Sequence, residues 1–329
     1  MKVFLTGASG FVGSHVLDSL LAGDHEVSLL LQRTSDTRFI SSHLPAVTVH
    51  FGSLGDSSVL TKAMSGVEAV IHCAGKTKAL RSSEFYRVNQ AGTANMVIAA
   101  NARRDSLRHL VYISSQAVSG PGDLSRPVEE TDDPCPVSVY GHSKLLGEIE
   151  IQRRCRVPWT ILRPAAVYGP RDTEFLPVFK KVKQHIMPLL SGPERPLHMV
   201  YGPDVAAAIL RCLGEDRAVS GIYHVAADPP CTDEEFMQEI ARGLHVRPLK
   251  LRIPRAGLVL ACVIQEILSR ATGRPNMLSR QKLPELLAPG WVCSTSGIRH
   301  DLGFTAPTPL KEGVGRTIEW YGREGWLRV

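Results

Sequence analysis

Thr6-Gly7-Ala8-Ser9-Gly10-Phe11-Val12-Gly13 is the stretch on which the fold turns. It follows a short apolar run at 3–5 and leads into helical spacing over 13–22. A strand that turns sharply into a helix needs a residue tolerant of positive φ. Phosphates, in turn, approach only a backbone with no Cβ in the way. Gly7, Gly10 and Gly13 meet those needs, and the helix start offers free N–H groups and a positive dipole end to a pyrophosphate. A glycine triplet alone equally describes an ordinary strand-to-helix turn. Here the strand, the glycines, the helix and a second apolar run at 27–31 arrive in the order that a dinucleotide-binding unit requires.

Further along, apolar runs at 47–51, 69–73, 110–114 and 160–162 alternate with amphipathic stretches at 57–64, 85–102 and 139–153. Strands alternating with helices imply right-handed crossovers, so the expected class is α/β, a doubly wound parallel (Rossmann) sheet. After Pro164 the alternation weakens and prolines multiply. Residues 1–170 are expected to form the NAD(P)-binding domain, with 203–227 returning to it as a helix (204–213) and a strand (222–225). A smaller C-terminal substrate-binding lobe is expected from 171–202 and 228–329, where Thr232 to Glu235 reads as a capping box.

The end of the second strand, Leu31-Gln32-Arg33-Thr34-Ser35, bears on which dinucleotide binds. An acid there accepts from a ribose 2′-OH, whereas a cation accommodates a 2′-phosphate. No acid occurs before Asp36, so Arg33 beside two hydroxyls reads as a 2′-phosphate site, with NADP preferred over NAD. The alternative is a solvated surface arginine.

Tyr140 and Lys144 lie at i and i+4, on one face of a helix. A phenol of pKa about 10 is a poor base at neutral pH. A lysine ammonium one turn away, together with the positive nicotinamide ring, is expected to favour the phenolate. Ser115, at the carboxyl end of the fifth strand, can donate to a substrate oxygen while Tyr140 exchanges the proton. Tyr-x-x-x-Lys recurs by chance on helices; its position after a glycine loop and a strand-end serine makes it specific.

Taken together, Thr6 to Gly13, His72-Cys-Ala-Gly75, Val88-Asn89, Tyr112-Ile-Ser-Ser115, Tyr140-x-x-x-Lys144, Arg163-Pro164 to Pro170 and Asp204-Val-Ala206 span most of the chain. In these pieces the chain resembles the extended short-chain dehydrogenase/reductase family, also called the NAD-dependent epimerase/dehydratase family. The resemblance implies Ser115, Tyr140 and Lys144 as the catalytic trio. It implies cofactor contacts from Gly7, Gly10, Phe11, Val12, Arg33, Ala74 and Lys144, and a supporting role for Asn89. It also implies a homodimer through stretches near 85–102 and 139–153. Gly52-Ser53-Leu54 departs from the family's Gly-Asp-Leu, which leaves the adenine contact open.

Within the family, dehydratases carry an Asp-Glu pair after the strand-end Ser/Thr, where this chain has Gln116-Ala117. Nucleotide-sugar enzymes carry an asparagine where Ala166 stands. Both departures resemble the dihydroflavonol reductase and 3β-hydroxysteroid dehydrogenase branch. The expected reaction is therefore hydride transfer at a secondary alcohol or ketone of a small, apolar molecule. A nucleotide-sugar epimerase and a non-catalytic NAD(P)-binding sensor or scaffold are the alternatives. An intact Ser–Tyr–Lys set argues against the sensor.

Composition bounds the other classes. A net charge of +6 is dispersed in short clusters with no aromatic-interleaved basic stripe, so nucleic-acid binding is not expected. Seven cysteines without a Cys-x-x-Cys pair fit reduced thiols in a cytoplasmic protein, and no ligand-spaced His, Cys or Asp set points to a metal. The first residues run straight into a strand, so no signal peptide is expected. The most apolar helix candidate, 256–268, contains Gln265 and Glu266 and is too short to span a bilayer. With the 278–287 region it is expected to be buried beside an apolar pocket; a place on a membrane surface is its alternative.

Overall fold

The structure is a computed structural model describing residues 1–214, 220–273, 276 and 278–328. Residues 215–219 of the returning stretch, and 274, 275, 277 and 329 of the expected lobe, lie outside the described residues.

Strands β1 (Lys2–Thr6), β2 (Glu26–Leu31), β3 (Thr48–Phe51), β4 (Ala69–His72), β5 (His109–Ile113), β6 (Trp159–Pro164) and, later in the chain, β11 (Gly221–Val225) form one sheet. Its order is β11-β6-β5-β4-β1-β2-β3, and every pairing is parallel. The doubly wound expectation holds. The order reverses between β1 and β4, which opens a crevice at their carboxyl ends. Register sets Thr6 beside His72 and His72 beside Tyr112, so three polar side chains line up across that edge.

Helices α1 (Phe11–Ala22) and α7 (Gly202–Cys212) cover one face, sharing a core of Val16, Leu17, Leu20, Val205 and Ile209 with β1 and β2. On the other face α2 (Ser57–Ala63), α4 (Gly92–Asn101) and α5 (Val139–Arg154) bury Leu60, Met96, Val97 and Ile151. The expected helix at 85–102 starts earlier, as α3 (Ser82–Phe85), and reaches α4 through a π-helical turn, Tyr86–Ala91. Such turns reposition side chains and cluster at functional sites.

A second core is built by the short strands β7 (Ala166–Tyr168), β8 (Ile186–Leu190), β9 (Pro196–Leu197), β10 (Met199–Tyr201) and β12 (Cys231–Thr232) with helices α6 (Leu176–Lys183), α8 (Asp233–Gly243) and α12 (Leu310–Arg323), while β13 (Leu249–Ile253), α9 (Arg255–Thr272), α10 (Leu283–Leu286) and α11 (Ser296–Leu302) lie outside it. Phe179, Phe236, Ile240, Ile318 and Tyr321 pack at its centre. The capping box opening α8 is formed: Glu235 N–H donates to Thr232 Oγ1 at 3.1 Å and Thr232 N–H to Glu235 Oε2 at 2.7 Å. One part of 228–329 departs from the expected lobe. Cys293, Ile298 and Leu302 pack into the main-sheet core, because α11 lies against β11.

Candidate active site

The glycine loop leaves β1 and enters α1 as its spacing requires. Gly7 has φ +80°, and a Cβ there would stand 2.6 Å from the Ala74 nitrogen. A Cβ on Gly13 would lie 2.1 Å from the Gly7 carbonyl oxygen, so neither position accepts a side chain. Gly10 caps α1 in extended backbone without a side-chain bond, unlike Ser138 on α5 or Thr232 on α8. The first-turn N–H groups of Phe11, Val12 and Gly13 therefore have no cap or backbone partner among the described residues. This is the uncapped positive end that a pyrophosphate fits. Ala74 closes the opposite side, its N–H donating to Thr6 Oγ1 at 3.3 Å.

At the end of β2, Ser35 and Gln32 close a turn on each other, Ser35 N–H to Gln32 O at 2.9 Å and Gln32 N–H to Ser35 Oγ at 3.0 Å. Arg33 lies exposed, its guanidinium 5.3 Å from the Phe51 ring centroid, and makes no ion pair among the described residues. Asp36 is engaged by Arg38, which holds its carboxyl below the usual range through side-chain and backbone hydrogen bonds. The acid nearest the ribose position is therefore already committed.

Ser115 lies two residues beyond the end of β5 and caps a 3₁₀ turn at Gln116–Val118, rather than ending the strand itself. Ser138 caps α5, its Oγ accepting from Gly141 N–H at 3.0 Å, so Tyr140 falls in the first turn and Lys144 one turn later. Tyr140 is half-buried between the Phe85 ring, 6.2 Å away, and the Lys282 ammonium, 4.6 Å over its own ring. Burial raises its phenol well above the ordinary value; a Ser115 hydrogen bond opposes this, while Glu285 and Glu174 reinforce it. With no cofactor present, burial thus keeps the Tyr140 phenol protonated. Lys144 Nζ donates to Ile113 O at 2.5 Å and Tyr112 Oη at 3.3 Å. Burial brings the Lys144 ammonium down to about 8.

Below the lysine runs a polar network that the sequence reading missed. Thr93 Oγ1 donates to Asn89 O at 2.7 Å and stands 3.1 Å from His72 Nε2, while His72 Nδ1 is 2.8 Å from Thr6 Oγ1. One tautomer satisfies every group: Nε2–H donates to Thr93, and Nδ1 accepts from Thr6, which accepts in turn from Ala74 N–H. Burial holds His72 neutral, at about 3. Asn89, in the π turn, accepts from Lys76 N–H at 2.7 Å and donates to Lys76 O at 3.0 Å and Ser143 Oγ at 2.9 Å. It thus ties the loop after β4 to α5.

One further turn along α5, Glu148 meets Arg163 of β6 in a fully buried two-point ion pair, with Nε–Oε1 at 3.0 Å and Nη2–Oε2 at 2.7 Å. Ser114 Oγ donates to Glu148 Oε1 at 2.5 Å, and Arg163 Nη1 to Ser119 Oγ at 3.1 Å. The segment that carries Ser115 is therefore anchored at both ends. The signal in the sequence was the ladder Tyr140, Lys144, Glu148 at steps of four.

The roof departs from expectation. The recess at Tyr140 is lined by Thr77, Lys78, Phe85, Ser279, Gln281 and Lys282, largely polar groups, not by an apolar wall from 278–287. Glu285 bonds to Ser138 Oγ and, at 2.6 Å, to Lys282. Helix α9 is not buried beside the pocket: of its residues only Cys262 and Ser269 are buried. Among the described residues no helix is long and apolar enough to cross a membrane, and no His/Cys/Asp/Glu cluster suited to a metal occurs. All seven cysteines are free.

The family model for the NAD dependent epimerase/dehydratase family matches residues 3–226. A ceramide reductase of Caulobacter vibrioides is 30% identical over 327 residues, 99% of this chain and 96% of the relative. The human sterol-4-alpha-carboxylate 3-dehydrogenase, decarboxylating, is 28% identical over 75% of this chain and 68% of its own length. Among solved structures, the Thermus thermophilus UDP-glucose 4-epimerase complex with NAD superposes with a TM-score of 0.75 at 24% identity, covering 98% of this chain and 99% of that one.

Proposed function

This chain belongs to the NAD-dependent epimerase/dehydratase family, and on that premise we propose that it transfers a hydride reversibly between NADP(H) and a secondary alcohol or ketone of a small, largely apolar molecule. The observation that carries this reading is half-buried Tyr140 in the first turn of α5, one helical turn from buried Lys144, with Ser115 capping the turn after β5. The dinucleotide, when bound along Gly7, Gly10, Phe11, Val12, Gly13 and Ala74, supplies or accepts the hydride. In reduction Tyr140 Oη gives its proton to the developing alkoxide, and Ser115 Oγ steadies the same oxygen. The buried Lys144 ammonium, one turn along α5, offsets the negative charge left on the phenol as the proton leaves. In this division of labour 1–170 and 203–227 hold the cofactor, and 171–202 with 228–329 cover the substrate. A homodimer through α4 and α5 fits the exposed Ile98 on α4.

A nucleotide sugar is the weaker reading, because a diphosphate taken from water needs cations and donors. Ala166 offers none, and the two nearby arginines are spoken for: Arg171 pairs with Asp18 at 2.7 Å and Arg195 with Asp233. The name of the Caulobacter relative, ceramide reductase, favours a lipid-like carbonyl. Nicotinamide absorbance during turnover of hydrophobic ketones, alongside calorimetric titration with UDP, tests the choice. Turnover of a ketone without UDP binding is expected; saturable micromolar UDP binding would overturn it.

The NADP preference rests on Arg33, which has no carboxylate partner among the described residues and is held near the β2 end by Phe51. Arg33→Ala is expected to weaken NADPH by about 1.5–3 kcal/mol, the scale of a charged hydrogen bond, and NADH far less. Titration of the wild type and the variant with both cofactors measures it, and equal losses would return Arg33 to the solvated surface.

A further inference from the structure

We propose that helix α9 is a docking face for an anionic lipid bilayer, on which the protein lies without crossing. The helix is inside out. Val259, Leu260, Ile264, Ile267 and Leu268 are exposed, Leu260 at 60% and Ile267 at 61%, and the i, i+4, i+7, i+8 spacing puts them on one continuous face. The opposite side faces the protein through buried Cys262 and Ser269, with Gln265 and Glu266 half-buried beside them. There Gln265 accepts from Asn276 Nδ2 at 2.9 Å, and Glu266 binds Arg270 and Arg280, each at 2.7 Å. A helix in a globular protein turns its apolar stripe to the core, so a stripe turned outward on this scale marks an interaction surface.

Charge selects the occupant. Residues 245–282 carry eight Lys/Arg and one carboxylate, Glu266; four of the eight are paired, Lys250 with Glu234, Arg270 and Arg280 with Glu266, and Lys282 with Glu285. Arg252 and Arg255, at the helix start, form no close ion pair among the described residues. A basic rim around an apolar face is the signature of interfacial helices on anionic lipid. A second copy fits less well. Two-fold pairing of α9 with itself, parallel or antiparallel, would bring the basic rims of two copies together. The protein-facing side of α9 also bonds Asn276 and Arg280, and Asn276, Ser279, Gln281 and Lys282 line the recess at Tyr140, so a bilayer under the apolar face lies beside the mouth of the site. This inference does not depend on the substrate.

Co-sedimentation of the full chain with vesicles of phosphatidylcholine, with and without phosphatidylglycerol, tests it. Binding is expected only with the anionic lipid and should weaken as salt screens the rim. The triple variant Leu260→Glu, Ile264→Glu, Ile267→Glu should partition at least about tenfold less, and Arg252→Glu with Arg255→Glu should lose the dependence on anionic lipid. Unchanged NADPH binding and unchanged mass by light scattering show that the variants fold and pair as before. Failure of the wild type to bind anionic vesicles would overturn the proposal, as would equal binding to neutral ones. So would a wild-type oligomer that the triple variant converts to monomers.

Discussion

Tyr140→Phe should lower turnover by ~10²–10⁴ while leaving NADPH affinity nearly intact, the loss typical when a positioned general acid is removed. The phenol ring keeps its place between Phe85 and Lys282 in the variant, so only the proton is taken away. Wild-type turnover in Tyr140→Phe would remove the residue from the chemistry. A pH profile adds a second reading. Burial brings Lys144 down to about 8, so its ammonium is present below that pH and lost above it. In the reductive direction, kcat/KM for NADPH should therefore fall as pH rises through about 8, since the cofactor-free enzyme loses the charge that supports proton donation. Lys144→Ala should weaken turnover and cofactor binding together.

Glu148→Ala should destabilise the fold by about 3–5 kcal/mol, because it strands the Arg163 guanidinium, which is 1% exposed, without its counter-charge. Arg163→Met should cost a similar amount by stranding Glu148 and its bond from Ser114. Replacing both residues with apolar ones of similar volume should recover most of the loss, since a buried pair contributes little beyond its isostere. Urea unfolding of the two single variants and the double variant measures this. Additive losses in the double variant would mean that the pair is not coupled as its two-point geometry implies. The pair sits at both ends of the turn that presents Ser115, so activity in the double variant separates positioning from stability: retained folding with displaced Ser115 lowers kcat more than KM.

What the sequence determined by itself was local or periodic. The glycines around Gly7 and Gly13 declare a backbone approach that no side chain survives, and that need is legible without any distant contact. The alternation of strands and helices leads to a parallel sheet through the handedness of crossovers. The i,i+4 spacing of Tyr140 and Lys144 follows from helix geometry alone. Tertiary structure decided what depends on partners far apart in the chain. Glu148 and Arg163 meet only because α5 lies on β6, and His72 joins Thr6 to Thr93 only through the sheet register. The same holds for the direction of Lys144, which turns to the Ile113 carbonyl, and for the protonated state of Tyr140, which follows from burial. Helix α9 shows the limit most plainly. Its apolar composition reads as core, but composition carries no information about which side faces the protein, and here Cys262 and Ser269 are buried while Leu260, Ile264, Ile267 and Leu268 face out.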